Sequence, residues 1–287
     1  MTSTTESTAL SAKAVKRAAV VTHGKPQTIG PALARLTTVA REAGVELIVG
    51  PDEAEKHGVA PAATDPADVD VALVLGGDGT MLRALARFLD TGVPVVGVNF
   101  GRVGFLSSIP RTELETGIAR VFAGEYRVEE LPTLEVEVGD EQRVAVNDLV
   151  VASALTGRMI QLEWAVGGEA LGRLGCDGVV CATPSGSTGY NFSNGGPVLV
   201  WGIDAMAVTF VAPHSLNARP LVVPRGVELI VWNRTADVAA TALVDGHGVG
   251  ELQPGGRAVA RVGARRSLLA TLPEVTFFSR YSRTFAS

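Results

Sequence analysis

Up to Tyr126 the apolar residues gather in short unbroken runs separated by stretches of helical spacing. The runs are RAAVVTH (Arg17 to His23), VELIVG from Val45, VDVALVL and PVVGVNF. Between them Ile29, Leu33, Leu36, Val39 and Ala40 recur as on one helix face, and Thr80 to Leu89 forms a second helical candidate. Strands alternating with helices predict a parallel sheet. Runs that are continuous rather than alternating predict cover on both sheet faces. PDEAEKHGVAPAATDPAD, from Pro51, reads as a loop, and RTELETGIARVFAGEY reads as the last helix of this part.

Beyond Tyr126 strand-like pieces follow one another: RVEELPTLEVEVG, RVAVNDLVVAS, IQLEWAVGG, AMAVTFVAP, GVELIVWN, VAATALVDG and RAVARVG. Turn signals separate them, among them Gly139-Asp140, Gly167-Gly168 and Pro254-Gly255-Gly256. The predicted architecture is therefore an α/β N-terminal domain with a parallel sheet, followed by a β-rich C-terminal domain. Residues 1–16 read as a flexible tail, 17–126 as the α/β domain, 127–270 as the β-rich domain, and 271–287 as a segment returning to the first domain, with Phe277 and Phe278 as core. A ligand cleft is expected between the domains.

Composition narrows the partners. Over 287 residues the net charge is -5, which favours a small-molecule substrate over nucleic acid or an anionic membrane. The two cysteines, Cys176 and Cys181, lack zinc-site spacing and suit a reducing compartment, so a cytoplasmic location is expected. The N-terminal MTSTTESTALSAK has no apolar core of a secretory signal, and no run reaches the roughly 18 apolar residues of a membrane span. All lysines lie at or before Lys56, so any later cationic contact falls to arginine or histidine.

Two stretches carry candidate chemistry. In VLGGDGTMLRAL, a strand delivers Gly76, Gly77, Asp78, Gly79 and Thr80 to the start of a helix. Ligands of α/β sheets gather at such strand ends, where glycines admit phosphate oxygens to backbone N–H groups. Asp78 is then an acid where phosphate would sit, so it suits accepting a hydroxyl proton or holding a metal; capping a tight turn is the plainer reading. The string is neither a Walker A loop nor a dinucleotide-binding fingerprint. Gly97, Gly101 and Gly104 in GVNFGRVGF have the wrong spacing as well.

The second stretch, CDGVVCATPSGSTGYNFSNGGPV (Cys176 to Val198), is dense in hydroxyls and amides. It suits a wall for a ligand with amide, ribose and phosphate groups, or a polar loop held by its own side chains. PSGSTG is not a hydrolase nucleophile elbow.

GGDGT, VGVNFGRVGFLSS, VNDLVV, the Cys176 to Val198 stretch, PHSLNARPLVV and LVDGH, in this order over most of the chain, resemble the NAD kinase family. GGDGT alone is shared with lipid kinases and, more loosely, phosphofructokinases. The resemblance implies transfer of a phosphoryl group from ATP or polyphosphate, with Mg²⁺, to the 2′-hydroxyl of the adenosine ribose of NAD, giving NADP. It implies Asp78 as base or hydroxyl-orienting group, and Gly76, Gly77, Gly79 and Thr80 at the donor's phosphates, without a protein-built metal site. It implies Asn147, Asp148, Asp177, Ser185, Thr188 and Tyr190 around the dinucleotide, and a homo-oligomer, dimer or tetramer.

Asp148 stands where the family usually has glutamate, and Gly189 where alanine is common. Arg219 fits an anion contact or a surface ion pair. Asp245 fits a place near the transferred phosphate, while Asp245-Gly246 also reads as a hairpin turn, the favoured reading. His23, His57 and His214 are expected to be structural or solvated. No functional residue is expected in FFSRYSRTFAS. The alternatives are a lipid or sugar kinase sharing the glycine turn, and a non-catalytic dinucleotide-binding regulator; the polar second stretch argues against an acyl groove, and Asp78 against a silent site.

Overall fold

A computed structural model describes residues 14–23, 26–58, 61 and 68–285. Most of the expected tail, 1–13, lies outside these residues, whereas Val15 is buried and its N–H donates to the Phe122 carbonyl. The chain divides into two compact units, Met1–Glu130 with Ser267–Ser287, and Leu131–Arg266.

The first unit contains β1 (Arg17–Thr22), α1 (Pro26–Ala43), β2 (Glu46–Val49), α2 (Pro51–His57), β3 (Val71–Gly76), α3 (Asp78–Arg87), β4 (Val95–Asn99), β5 (Ile109–Pro110) and α4 (Leu114–Phe122). β2, β1, β3 and β4 pair in that order, all parallel, and β5 pairs parallel with β4. Every residue of β3 is buried, the outcome of a strand with no polar face. Ile29, Leu36, Val39 and Ala40 of α1 join Ile118 and Val121 of α4 in the core that contains Leu73 and Leu75.

α2 lies within the stretch read as a loop. Pro51 opens it, Asp52 and Glu53 stand in its first turn, and Gly58 closes it in the left-handed conformation. Glu53, in α2, is buried; it accepts bonds from the Thr22 N–H (3.1 Å), the Thr22 hydroxyl (2.5 Å) and Lys56 Nζ (2.8 Å). Burial alone would raise its pKa, but the bonds from Lys56 and Thr22 hold it below the usual carboxylate value. A charged pattern without apolar periodicity conceals such a helix.

The chain runs through β6 (Arg127–Val138) into the second unit, which contains β7 (Glu141–Ala145), β8 (Asp148–Ser153), β9 (Ile160–Val166), β10 (Glu169–Cys176), β11 (Gly178–Ala182), α5 (Tyr190–Ser193), β12 (Ala205–Val211), β13 (Leu221–Pro224), β14 (Glu228–Asn233), β15 (Ala240–Val244) and β16 (His247–Leu252). β17 (Arg257–Thr271) leads back to the first unit and to α6 (Phe277–Phe285). β13, β12, β11, β8, β15 and β16 form one antiparallel sheet. β10, β9, β14 and β17 pair antiparallel in another. Alternate residues of both pack in one core: Leu149 and Val151 of β8 and Met206 and Val208 of β12 with Leu162 of β9, Val231 of β14 and Ala260 of β17. Alternation along each strand thus turns one set of side chains to an inward face.

Candidate active site

In the first unit the glycine turn joins β3 to α3. Gly77 is the N-cap and is extended, and the N–H groups of Thr80 and Met81 donate to its carbonyl at 2.9 and 3.0 Å. A Cβ on Gly77 would sit 3.2 Å from the Gly101 Cα, so these glycines allow two backbones to meet. Thr80 is buried, its hydroxyl directly over Gly76. Gly79 is exposed and has open space where a side chain would stand.

Asp78 begins α3, half-buried. Its Oδ1 accepts the Leu106 N–H and its Oδ2 the Phe105 N–H, both at 2.9 Å. The carboxylate is thereby fixed by a loop outside its own element, and each oxygen keeps further acceptor capacity. Sequence reading missed this loop's role.

It also missed Arg280. This residue of α6 is 0% exposed, and its Nη1 donates to the carbonyls of Phe105 (2.6 Å) and Ser107 (2.8 Å). Arg283 Nη2 donates to the Gly104 carbonyl at 3.2 Å. The Phe105 ring lies 5.6 Å from that of Phe277 and 6.0 Å from that of Phe285. Burial pulls the Arg280 pKa down, as does Arg283, while Asp78 raises it. The detectable signal was an arginine three positions after Phe277, on the buried face of a short amphipathic helix.

In the second unit the polar stretch divides. Gly178 to Ala182 is the buried strand β11, and several hydroxyls and amides beyond it are consumed internally. Thr183 donates to the Val146 carbonyl (2.7 Å), Ser187 to that of Pro184 (2.8 Å), and Asn191 Nδ2 to those of Ser187 and Pro197. Ser185, 3% exposed, donates to Asn147 Oδ1 at 3.0 Å. Thr188 is half-buried, its hydroxyl on the Ser185 carbonyl at 3.2 Å. Tyr190 at the start of α5 is 46% exposed, and Asp177 between β10 and β11 is exposed.

Asp245 and Gly246 form the β15–β16 hairpin turn, both with positive φ (50° and 79°). Turn and site are not exclusive. The Asp245 carboxylate accepts the N–H groups of Val146 (2.9 Å), Asn147 (2.7 Å) and Asp148 (3.1 Å), so it shapes the backbone that presents Asn147 and Asp148. Burial, reinforced by the Asp245 charge, pushes the Asp148 pKa up to about 7. Burial raises Asp245 as well, opposed by the three N–H groups. Because those groups favour the Asp245 anion, the pair's proton resides on Asp148.

Arg219 donates to the carbonyls of Leu216 (2.8 Å) and Ala218 (2.9 Å) in its own loop, and lines a cavity of about 560 Å³ with Trp164, Phe210 and Leu221. Among the described residues no group of three or more His, Cys, Asp or Glu is placed to hold a metal. Cys176 and Cys181 are buried and free; burial raises both thiols, which keeps them protonated.

Comparison with known proteins places these two units in a family. Residues 22–126 match the model of the ATP-NAD kinase N-terminal domain, and 146–271 that of the C-terminal domain. The NAD kinase of Heliobacterium modesticaldum is 37% identical over 228 residues, 77% of this chain and 81% of the relative. That of Symbiobacterium thermophilum is 34% identical over 274 residues, 92% of this chain and 96% of the relative. Among solved structures, yeast NADH kinase complexed with NADH has a TM-score of 0.81 at 23% identity, over 95% of this chain and 88% of its own, a likeness of fold. An Archaeoglobus fulgidus NAD kinase in complex with ATP has a TM-score of 0.74 at 26% identity, over 94% and 97%.

Proposed function

The chain belongs to the NAD kinase family and phosphorylates NAD to NADP, and from that premise we propose how its residues divide the work. Asp78 takes the proton of the adenosine 2′-hydroxyl. The freed oxygen forms a bond to the donor's terminal phosphorus, the bond from that phosphorus to its bridging oxygen breaks, and ADP leaves when ATP is the donor. The observation that carries this reading is the Asp78 carboxylate at the start of α3, held by two loop amides in a glycine turn.

Gly76, Gly77, Gly79 and Thr80 surround the donor's phosphates, where the first turn of α3 favours negative charge; the Thr80 N–H is itself given to the Gly77 carbonyl, so Thr80 shapes the turn. A divalent cation such as Mg²⁺ brought by the nucleotide would supply charge screening for the transferred group, with no side chain of this protein assigned to hold it. Asn147, Asp148, Asp177, Ser185, Thr188 and Tyr190 hold the dinucleotide. Asp177, Thr188 and Tyr190, the more exposed, reach it directly, while Ser185 orients the Asn147 amide. Asp245 acts through the backbone of Asn147 and Asp148, and Arg219 stiffens its own loop. The protein works as a homo-oligomer in the cytoplasm.

The test is incubation of the purified chain with NAD, ATP and Mg²⁺, reading NADP with an NADP-specific dehydrogenase and the phosphate position by ³¹P NMR. NADP bearing a 2′-phosphate is expected; ATP consumption without NADP, or phosphate elsewhere on the dinucleotide, contradicts the reading.

A further inference from the structure

We infer that Arg280 is a positioning residue for the reaction, acting on Asp78 through the backbone of Phe105 to Ser107. The inference rests on Asp78 serving as the base. The peptide groups from Phe105 to Ser107 are gripped from both sides. Their N–H groups at Phe105 and Leu106 point to Asp78, each at 2.9 Å, and their carbonyls at Phe105 and Ser107 to Arg280 Nη1, at 2.6 and 2.8 Å. A peptide unit is planar, so fixing a carbonyl fixes the plane of the N–H that follows it. The Phe105 carbonyl shares its peptide plane with the Leu106 N–H. Arg280 therefore sets the direction of the bond that Leu106 gives to Asp78 Oδ1.

The surroundings show how the grip is kept. Phe277, three residues before Arg280, and Phe285, five after it, both pack by the Phe105 ring. Arg283 adds a bond to the Gly104 carbonyl. A guanidinium with no solvent exposure is costly to bury, and core packing alone would be served better by an apolar side chain. Both bonds come from one nitrogen, Nη1, whose two hydrogens serve one carbonyl each. Positioning matters because a base displaced by about 1 Å from the attacking hydroxyl can lose on the order of a hundredfold in rate.

The test is a double-mutant cycle on the full chain, with Arg280→Met, Asp78→Asn and the pair, and Arg280→Lys beside them. Arg280→Met is expected to lower kcat at least about tenfold while KM for NAD stays within about twofold, and Arg280→Lys to recover part of the loss. In the Asp78→Asn background the same substitution should change kcat by less than about twofold, since the group it positions is gone. An equal factor in both backgrounds, or a kcat for Arg280→Met within about twofold of the unsubstituted protein, overturns the inference. If Arg280→Met does not melt cooperatively, the Arg280→Lys cycle decides by the same criterion. An undiminished kcat for Asp78→Asn alone would instead remove the reading of Asp78 as the base.

Discussion

Asp148 shows how a single side chain can tie the candidate site to pH. Its pKa, raised from 3.8 to about 7 by burial and by Asp245, means that between about pH 4 and 7 the folded protein holds a proton the unfolded chain has released. Stability from this group is therefore fully present below that window and falls as pH rises through it, by on the order of a few kcal/mol. Asp148→Asn keeps the shape of the neutral acid and removes the titration. The melting temperature of the variant, relative to the unsubstituted protein, should climb from pH 5 to pH 8; parallel profiles would contradict the raised pKa of Asp148. The charge of Asp148 was visible in VNDLVV, but its environment was not. Asp245 lies 97 residues further on, and nothing local predicts that its carboxylate caps three amides of that segment.

At the scale of elements, the segment from Thr183 to Asn191 behaves as a self-bonded knot whose outer face is free. Gly186 sits against the backbone of Asn147, and a Cβ there would collide with the Asn147 carbonyl oxygen. Backbone on both sides leaves little room to yield, so Gly186→Ala should cost about 1–3 kcal/mol or more and shift Asn147. Calorimetry and NAD titration check this: a lower melting temperature with weaker NAD binding is expected, and an unchanged protein would show that the contact relaxes freely. The glycine turn and the polar stretch were legible because glycines and hydroxyls have few other uses after a buried strand. α2 was not legible, since its hold on β1 depends on one buried carboxylate, Glu53, bonded to Thr22 and Lys56. Nor was the role of α6, whose short aromatic and basic string gives no hint that Arg280 meets residues 173 and 175 positions earlier.

For the whole molecule, the change near Tyr126 from strands alternating with helices to strands following one another carried the fold class, because helix crossovers build a parallel sheet while strands joined by short turns pair antiparallel. The parallel sheet of the first unit and the antiparallel sheets of the second follow from it. What no run of residues could convey is how a loop and a helix remote in sequence are arranged around one carboxylate. That arrangement gives the molecule its proposed chemistry, and the direct measurement is of Asp78→Asn, an amide of the same shape that can still accept one of the two loop N–H groups but cannot take a proton. Its kcat for NADP formation should fall by about 10² to 10⁴ while the NAD dissociation constant stays within about twofold. Undiminished kcat in a folded variant that binds NAD normally would show that the proton of the 2′-hydroxyl leaves by another route.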